Sequence, residues 1–464
     1  MTSFMKIPLL FFISIFGFAG ASSRAADARA VPEKPNIIFI LSDDLAQGDL
    51  GCYGQKLIKT PNIDRMAEEG TRYTQAYCGT TVCAPSRSSL MTGLHMGHCP
   101  IRSNREIQPE GQLPLPEGTL CVAQLLKNAG YATACIGKWG MGMFDTSGSP
   151  LKMGFEHFFG YNCQRHAHSY FPKYLYNNDQ RFELSGNADP DPSVPKTYAQ
   201  NLIADETLKW VRANAQKPFF LYYSVTLPHA KLEIDDLGLY ASENWTAEQK
   251  KYAAMVTRLD SDVGRLLALL KELHIDDRTL VMLAGDNGSS YPPTSPVGSA
   301  FKQAANGLRG FKRELYEGGL RQAAVARWPG QVPAGRVTGE PWAFWDFLPT
   351  AAELGGITLP GDFKADGFSL VAFLKGGRAP KRDFFYWELF EGQFQQALRF
   401  EGWKGVRTGP ARPLELYHLE TDPGEARNIA QEHPDVVANA ERLMSAARTD
   451  SPLWPTDYAK KRAK

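Results

Sequence analysis

The chain has 464 residues and a formal net charge of +1, and charged residues make up 22% of it. This length exceeds that of most single domains and predicts a large α/β unit with a smaller second domain. The near-neutral charge argues against nucleic acid or an acidic membrane surface as a partner, so an anionic ligand must be bound by local groups. The basic run at 460–464 is interpreted as solvated terminal charge.

Residues 1–21 have the pattern of a signal peptide. Lys6 precedes an apolar run at 7–18, and the small residues at 19–21 resemble a cleavage site. Because the apolar run is short for a membrane span, the pattern predicts export to the periplasm or the exterior, without stable membrane association. An uncleaved anchor is the alternative interpretation.

Export permits disulfides, and six cysteines accompany Cys83: Cys52, Cys78, Cys99, Cys121, Cys135 and Cys163. Their spacing contains no C-x-x-C pair, which argues against a zinc site. Disulfides and free buried thiols are both compatible with this set.

Four apolar runs end in polar residues, and each predicts a strand buried on both faces. The runs are Asn36 to Leu41, Tyr131 to Ile136, Pro218 to Val225 and Thr279 to Ala284. The polar residues that follow them are Asp43 and Asp44, then Lys138, then His229, and finally Asp286 and Asn287. Open α/β sheets place their sites at the carboxyl ends of strands, so this layout is typical of an enzyme.

Helical patterns at 120–129, 199–213 and 253–273 lie between these runs and predict crossover helices. Together the elements predict a doubly wound, mostly parallel sheet flanked by helices, over residues 31–379. The sequence becomes rich in aromatic residues from about residue 380. There we predict a smaller α+β domain, residues 380–464, with a short antiparallel sheet and a helix from Pro434 to Ala447.

The segment from Cys83 to Arg87 reads C-A-P-S-R and is followed by Thr92-Gly93. It resembles the C-x-P-S-R signature of type I sulfatases, the formylglycine-dependent enzymes of the alkaline phosphatase-like superfamily. The resemblance implies that a separate formylglycine-generating enzyme oxidises Cys83 to formylglycine. Taken alone, the segment is also compatible with an ordinary cysteine in a loop before a helix.

The chemistry of sulfate transfer gives a reason for this modification. A hydrated aldehyde has two hydroxyls on one carbon, so one can attack sulfur while the other later loses its proton and expels sulfate. A serine would remain trapped as its sulfate ester. Covalent catalysis can therefore turn over without water attacking the sulfated enzyme.

The acidic residues at the strand ends offer oxygen ligands only. Asp43, Asp44, Asp286 and Asn287 suit a hard cation such as Ca²⁺ or Mg²⁺ better than zinc. The resemblance implies that these four, with an oxygen of formylglycine 83, bind Ca²⁺. Considered singly, the first pair is also compatible with a helix cap and the second with a turn.

Three further segments match the same family: G-K-W-G at 137–140, Pro228-His229 and G-F-K-R-E-L-Y-E-G-G at 310–319. By motif position, Lys138 and Lys312 would hold sulfate oxygens and Arg87 would orient the formylglycine diol. His229 would donate a proton to the departing alcohol, a role that suits its near-neutral intrinsic pKa. Solvated lysines and a loop histidine are the alternatives.

One position departs from the family pattern. Many sulfatases read G-K-W-H where this chain has Gly140, so a histidine that assists at the formylglycine hydroxyl is missing. His166 and His168 are the candidates to replace it or to bind substrate, and His168 is preferred. In an extended segment both would project to one side. A structural role for the pair is the alternative.

The C-terminal segments L-Y-H-L at 416–419 and D-P-G-E at 422–425, followed by Asn428, resemble the sulfatase C-terminal pattern. They predict a strand, a turn and a helix start, and carry structure rather than catalysis.

The sequence therefore predicts hydrolysis of sulfate monoesters, on carbohydrate or glycosaminoglycan fragments, with specificity residing in loops 161–179 and 291–307. Two alternatives stay open: a phosphate or phosphonate ester hydrolase of the same superfamily, and a sulfated-sugar binding protein with an unmodified Cys83. Four C-terminal aromatic residues could line a sugar cleft or form interface core: Trp387, Phe390, Phe394 and Trp403.

Overall fold

The structure, a computed structural model, describes residues 1–2, 34–108, 110–301 and 307–456. The predicted signal peptide, apart from residues 1 and 2, and the basic run at 460–464 lie outside the described residues. None of the described helices has both the length and the apolar composition needed to cross a membrane.

An eleven-stranded mixed sheet forms the centre of the described chain. Its strands are β1 (Asn36–Ser42), β2 (Thr71–Tyr77), β3 (Ala132–Lys138), β4 (His157–Tyr161), β5 (Tyr174–Asn177), β6 (Gln180–Glu183), β7 (Phe219–Val225), β8 (Thr279–Gly285), β9 (Arg321–Arg327), β10 (Arg336–Thr338) and β11 (Trp342–Ala343). Their order is β10-β2-β9-β8-β1-β7-β3-β4-β5-β6, and β11 pairs with β2. The central strands β8, β1, β7, β3 and β4 are parallel, whereas β9, β5 and β6 pair antiparallel with their neighbours.

The four strands predicted from apolar runs are β1, β3, β7 and β8, and the structure confirms them within two residues at each end. All four are buried along their whole length. Along β1, Ile37 and Phe39 enter one core cluster and Ile38 and Ile40 the other, as alternation of side chains across a strand requires. The sheet is therefore covered on both faces, as predicted for a doubly wound fold.

The helices are α1 (Pro61–Glu68), α2 (Cys83–Thr92), α3 (Val122–Asn128), α4 (Ala199–Asn214), α5 (Ala247–Glu272), α6 (Pro296–Phe301), α7 (Glu317–Leu320), α8 (Phe347–Leu354), α9 (Val371–Leu374) and α10 (Pro434–Ala446). The predicted crossover helices are α3, α4 and α5. Helix α5 begins six residues earlier than predicted because Thr246 caps it, with a reciprocal hydrogen bond from Gln249. The helix was predicted from its apolar stripe, which does not include the polar residues of the capping box, so the helix begins before the stripe does.

The C-terminal region contains a second sheet, as predicted. Strands β12 (Phe385–Leu389), β13 (Gln395–Phe400), β14 (Trp403–Arg407) and β15 (Glu415–His418) pair antiparallel in chain order. Helix α10 covers one face, where Ala440 and Met444 join the cluster that contains Tyr386 and Leu398. The domain boundary at residue 380 stays a prediction.

Three of the four C-terminal aromatic residues are core. Trp387 is fully buried and donates its indole N–H to the carbonyl of Cys78 at 3.0 Å, and Phe390 and Phe394 pack with Trp454. The cleft interpretation therefore fails for Trp387 and Phe394, whose faces are covered by protein, whereas Phe390 is buried but lies in the wall of a cavity. The half-buried Trp403 ring instead contacts the rings of His418 and His433.

A buried ion cluster ties the second sheet to the segment that carries Lys312. Lys404 of β14 lies 2.9 Å from Glu317 and 3.1 Å from Glu425, and all three side chains are inaccessible to solvent. Removing one partner would leave a buried charge uncompensated, so this cluster holds the chain after Lys312 in place. Asn428 accepts a hydrogen bond from the backbone of Leu416, which fits the structural role predicted for the C-terminal pattern.

All seven cysteines lie within the described ranges, and all are free thiols. The free-thiol alternative therefore describes this structure, and burial favours it because a buried thiol behaves as a small apolar side chain.

Candidate active site

Two neighbouring parallel strands bring four oxygen-bearing side chains to one edge of the sheet. Asp43 and Asp44 follow β1, and Asp286 and Asn287 follow β8, whose last residue pairs with Ser42. The backbone N–H of Asp44 donates to Asp286 Oδ1 at 3.0 Å, and the Asn287 amide donates to Asp44 Oδ1. All four residues are at most 2% exposed, and their side chains face one another instead of capping a helix.

Cys83 lies at the first residue of α2, directly beside these carboxylates. Its Sγ is 3.3 Å from Asp43 Oδ1 and 3.6 Å from Lys312 Nζ. Burial and the negative charge of Asp43 raise the pKa of the Cys83 thiol to about 12, so the thiol is protonated at neutral pH. The structure thus brings the motif cysteine to the acidic cluster from 40 residues away along the chain.

Arg87 lies one helical turn further along α2 and is fully buried. Its guanidinium donates to Asp286 Oδ2 at 2.8 Å and to the carbonyl of Lys138 at 3.0 Å, and it also contacts Ser224 on β7. This arginine therefore links α2 to the ends of three central strands.

The two predicted lysines pair with the two adjacent aspartates. Lys138 Nζ at the end of β3 lies 2.5 Å from Asp43 Oδ2, and Lys312 Nζ lies 2.7 Å from Asp44 Oδ1. Burial alone would lower the pKa of Lys312, but the charges of Asp44 and its neighbours raise it above its usual value. Both lysine side chains are buried, so neither is a solvated surface lysine.

Two of the predicted histidines lie together at this site. The His229 ring has Nε2 3.6 Å from Asp44 Oδ2, and the His168 ring stacks on it with 4.9 Å between centroids and 10° between planes. Burial and the nearby Lys312 lower the pKa of His229 to about 4. His168 is more exposed than His229, but partial desolvation of its ring and the charge of Lys138 lower its pKa in the same direction.

His166 is not brought to this cluster. Its Nε2 lies 2.8 Å from the carbonyl of Tyr174, and its ring packs among tyrosines. The segment His166–His168 is a 3₁₀ turn instead of the extended chain that would project both histidines to one side. Since successive residues of a 3₁₀ helix are rotated by a third of a turn, residues two apart point in different directions.

Sequence reasoning missed two polar residues around the site. The Ser290 hydroxyl donates to Asp44 Oδ2, and Asn104 Oδ1 accepts from the backbone N–H of Ala84 at 3.0 Å. Ser290 follows Asp286-Asn287 by three residues, so its place in that loop was a usable signal. Asn104 lies 20 residues beyond Ala84 in an irregular loop, and no local pattern marks it.

The donor set fits a hard divalent cation. Three carboxylates crowd together, and burial and Asp43 raise the pKa of Asp286 to about 7 because a further negative charge is unfavourable there. Asn287 Oδ1 has no hydrogen-bond partner among the described residues, although it is fully buried. Oxygen ligands of this kind suit Ca²⁺ or Mg²⁺. One ligand atom from each of four residues lies within 4.8 Å of the others: Asp43, Asp44, Cys83 and His229.

The mixed sheet and the buried charges at its strand ends define an alkaline phosphatase-like hydrolase. The family profile named Sulfatase matches residues 35–357, and a profile for the N-sulphoglucosamine sulphohydrolase C-terminal region matches residues 309–449. The chain belongs to the sulfatase family. It is accordingly a sulfuric ester hydrolase, as its sequence predicted.

Known relatives are similar over most of their length. The chain is 32% identical to N-acetylgalactosamine-6-sulfatase of Homo sapiens, over 86% of this chain and 82% of the relative. It is 29% identical to steryl-sulfatase of Mus musculus, over 88% of this chain and 80% of the relative. Among solved structures it resembles Ps i-CgsB, crystallised with k-i-k-neocarrahexaose, with a TM-score of 0.79 and 27% identity over 92% of this chain and 96% of that one.

Proposed function

We propose that the protein hydrolyses sulfate monoesters of carbohydrates, using formylglycine at position 83 and one Ca²⁺. The observation that carries this proposal is the buried set of contacts from Cys83 Sγ to Asp43 at 3.3 Å and to Lys312 at 3.6 Å. One place therefore holds a site for a nucleophile, oxygen ligands for a metal and a cation for an anionic substrate. That combination matches what attack on a sulfate ester requires.

Residue 83 is suited to attack sulfur only after modification. With a pKa of about 12, the Cys83 thiol is protonated at neutral pH and weakly nucleophilic. Formylglycine, made during maturation by a formylglycine-generating enzyme, supplies a hydrated aldehyde whose hydroxyl attacks sulfur. Arg87 orients that group from the same helix, because its guanidinium is already fixed by Asp286 and by the carbonyl of Lys138.

The proposed metal ligands are Asp43, Asp44, Asp286, Asn287 and an oxygen of residue 83. Held by these residues, Ca²⁺ would supply positive charge that favours an anionic substrate and an ionised nucleophile beside it. Because the four side chains are at most 2% exposed, charges at this site are screened weakly. The carboxylates therefore stabilise a cation strongly and would repel one another without it.

Lys138 and Lys312 provide the fixed positive charge for the sulfate group. Each ammonium pairs with one aspartate, at 2.5 Å and 2.7 Å respectively. Carboxylates that bind a divalent ion leave these ammonium groups available to sulfate oxygens. Since the lysines approach from different segments, β3 and the chain before α7, they can hold two oxygens in a fixed orientation.

His229 is proposed to protonate the departing alcohol. Its Nδ1 faces the carbonyl of Ala230, which can only accept, so Nδ1 carries hydrogen and Nε2 faces the site. With a pKa of about 4 the ring is neutral at pH 7 before substrate binds. A bound sulfate ester adds negative charge beside the ring, which favours protonation of Nε2.

His229→Gln is expected to slow esters of poor leaving alcohols far more than activated aryl esters, because only the former need a proton as they depart. We expect kcat/KM to fall by about 10² to 10⁴ for an alkyl or sugar sulfate. For 4-nitrophenyl sulfate the loss should stay below about tenfold. Initial rates on both substrates measure the difference.

His157→Gln is the matched control, since His157 pairs with Glu206 at 3.0 Å at the start of β4. It should leave both rates unchanged. Equal losses on the two substrates with His229→Gln would rule out proton donation to the leaving group.

His168 is proposed as the base that replaces the histidine absent at Gly140. Its ring lies in parallel contact with His229, and partial desolvation and Lys138 lower its pKa, which keeps the ring in its proton-accepting form at pH 7. His166 has no such part in the proposal, because the Tyr174 carbonyl holds its Nε2. The two stacked rings thus divide the proton transfers between leaving group and nucleophile.

Two adjoining cavities with charged residues in their walls, one of them beside Lys312, support a carbohydrate substrate. A cavity of about 440 Å³ is lined by Ser290 and Lys312, and one of about 580 Å³ by Asn104; both border Arg313 and Glu391. Arg313 Nε donates to Glu391 at 2.7 Å across their common wall. Charged and amide groups suit the hydroxyls of a sugar better than the apolar surface of a sterol. The relatives that act on N-acetylgalactosamine sulfate or were crystallised with neocarrahexaose support the same class.

Arg313→Ala is expected to lower kcat/KM for sulfated oligosaccharides by about tenfold, because it removes one charged contact to the sugar. Turnover of 4-nitrophenyl sulfate, which has no sugar hydroxyls for Arg313 to bind, should change by less than about twofold. A panel of defined sulfated saccharides, with dehydroepiandrosterone sulfate as the sterol member, measures this preference.

Arg212→Ala is the control, since Arg212 of α4 forms an exposed ion pair with Glu272 of α5. Faster hydrolysis of the sterol ester than of every saccharide would overturn the carbohydrate assignment.

Export to the periplasm or the exterior completes the proposal. It is supported by the signal-peptide pattern of residues 1–21.

A further inference from the structure

Gln164 is a buried amide without a partner. Gln164 is 5% exposed, and neither Nε2 nor Oε1 of its side chain has a hydrogen-bond partner among the described residues. Burying an unsatisfied amide is unfavourable, so such groups are retained where a ligand or an ordered water satisfies them. The residue precedes the turn that carries His168 by only two positions.

The Gln164 amide lies against Gly140, the position at which this chain lacks the family histidine. Gly140 has φ of +79°, and a Cβ built there would lie 2.3 Å from Gln164 Nε2. A side chain at position 140 would therefore collide with the amide and would need a left-handed backbone. Gln164 takes the volume into which a side chain at 140 would project.

This volume lies next to the proposed sulfate site. Lys138 ends β3, and the ladder to the next strand continues beyond it, because Gly140 N donates to the carbonyl of Asn162 at 3.0 Å. Gly140 lies two residues beyond Lys138, whose Nζ is 2.5 Å from Asp43 Oδ2. Gln164 also lies four residues before His168, whose ring stacks on that of His229, so both segments that meet at the Gln164 amide lead into the site.

We propose that Gln164 is a substrate-binding residue whose Nε2 donates a hydrogen bond to an oxygen of the sulfate group. This inference rests on the proposed function and identifies one more contact within it. An amide adds a donor without adding charge or a titrating proton, so the chain replaces an imidazole by a group that binds and does not exchange protons. Proton transfer is then left to His168 and His229.

Binding of inorganic sulfate to unmodified protein tests the proposal without turnover. Calcium-loaded Cys83→Ser protein is titrated with sodium sulfate by calorimetry, alone and with Gln164→Leu, which keeps the volume and removes the amide. We expect Gln164→Leu to raise the Kd for sulfate about tenfold, the effect of one hydrogen bond to a charged group. An unchanged Kd overturns the proposal.

Lys312→Ala in the same background separates this proposal from the function on which it rests. If sulfate binding requires Lys312 but is unchanged by Gln164→Leu, only the proposed role of Gln164 is contradicted. A parent protein that binds no sulfate, or binds it equally well without Lys312, contradicts the proposed anion site itself.

Thermal unfolding distinguishes a binding role from a structural one. Gln164→Leu should leave the Tm unchanged or raise it, because the amide makes no hydrogen bond within the described protein. Gln200→Leu is the matched control: the Gln200 amide donates to Asp262 at 2.8 Å, so its loss should lower the Tm and leave sulfate affinity unchanged. A marked fall in Tm with Gln164→Leu would assign the amide to the fold and overturn the proposal.

A double-mutant cycle with Gly140→Ala tests the contact directly. The new methyl group must displace the Gln164 amide, so Gly140→Ala should weaken sulfate binding by nearly as much as removal of the amide. In a Gln164→Ala background the same substitution should have no further effect on sulfate affinity. Additive losses would show that the two positions act independently and would contradict the proposal.

Discussion

Cys83→Ala is expected to abolish sulfate ester hydrolysis and to leave the fold intact. The Cys83 side chain is buried between Asp43 and Lys312, and alanine removes the atom from which the nucleophile is made. Loss of a nucleophile in other covalent hydrolases costs about 10⁴-fold or more in kcat, and we expect a fall of that order. Sulfate release from an aryl sulfate measures activity, and circular dichroism with thermal unfolding measures the fold.

Cys121→Ala is the matched control, because Cys121 is also a buried free thiol but lies at the start of α3. It should cost some stability through the lost packing and leave the catalytic rate unchanged. Near-normal turnover by Cys83→Ala would contradict the proposed chemistry. So would mass spectrometry that finds only unmodified cysteine at position 83 in active protein from its native host.

The same preparation addresses the phosphate alternative. Lys138 and Lys312 bind tetrahedral anions of either kind, so the charge of the site does not by itself select sulfate. Turnover of an aryl sulfate and of the matching aryl phosphate is therefore compared under identical conditions. A phosphate preference that depends on residue 83 would assign the site to phosphate ester hydrolysis.

Removal of the divalent metal is expected to lower activity by about 10³-fold, and added Ca²⁺ to restore it. Asp43 and Asp44 are proposed ligands of the ion and also lie 2.5 Å and 2.7 Å from the two lysines, so carboxylates that lose the ion would compete with sulfate for the ammonium groups. Because the ligands are buried, the chelator must act over a long incubation. Activity is measured before chelation, after it and after Ca²⁺ is added back.

Calcium should also stabilise the fold, which gives a measurement independent of turnover. At a free concentration of about 100 times Kd, a ligand that binds only the folded state adds about 2.7 kcal/mol to the free energy of unfolding. Asp44→Asn should lose most of this gain, whereas Asp346→Asn, a buried aspartate that pairs with Arg382, should keep it. A chelated enzyme with full activity and no response of Tm to Ca²⁺ would contradict the metal site.

Local patterns in the sequence were sufficient to predict the strand ends of the site. Continuous apolar runs identified β1, β3, β7 and β8, and parallel strands must bring their carboxyl ends to one edge. Asp43, Asp44 and Asp286 lie within one or two residues of such ends, so strand assignment placed them at one edge, and the family resemblance implied that they meet. Cys83 and Lys312 were predicted by family motifs, because no periodicity marks either position.

Features that depend on contacts between distant segments could not be predicted in this way. The antiparallel direction of β9 depends on the path of the chain after Lys312. Whether Trp387 is buried depends on the packing of β12 against β2. Until that packing is known, an apolar side chain suits a cleft wall and a core equally well.

The sequence by itself determined the family, the sulfatase signature and the chemistry of the ligands, because each of these is carried by short segments of adjacent residues. The sequence preferred His168 to His166, but only the tertiary structure gave the physical reason, since a 3₁₀ turn replaced the extended chain. Only the tertiary structure likewise brought the Gln164 amide against Gly140. The physical reason is that motifs and periodicity report interactions within a few residues, whereas the direction of a loop side chain is set by partners that lie far away along the chain.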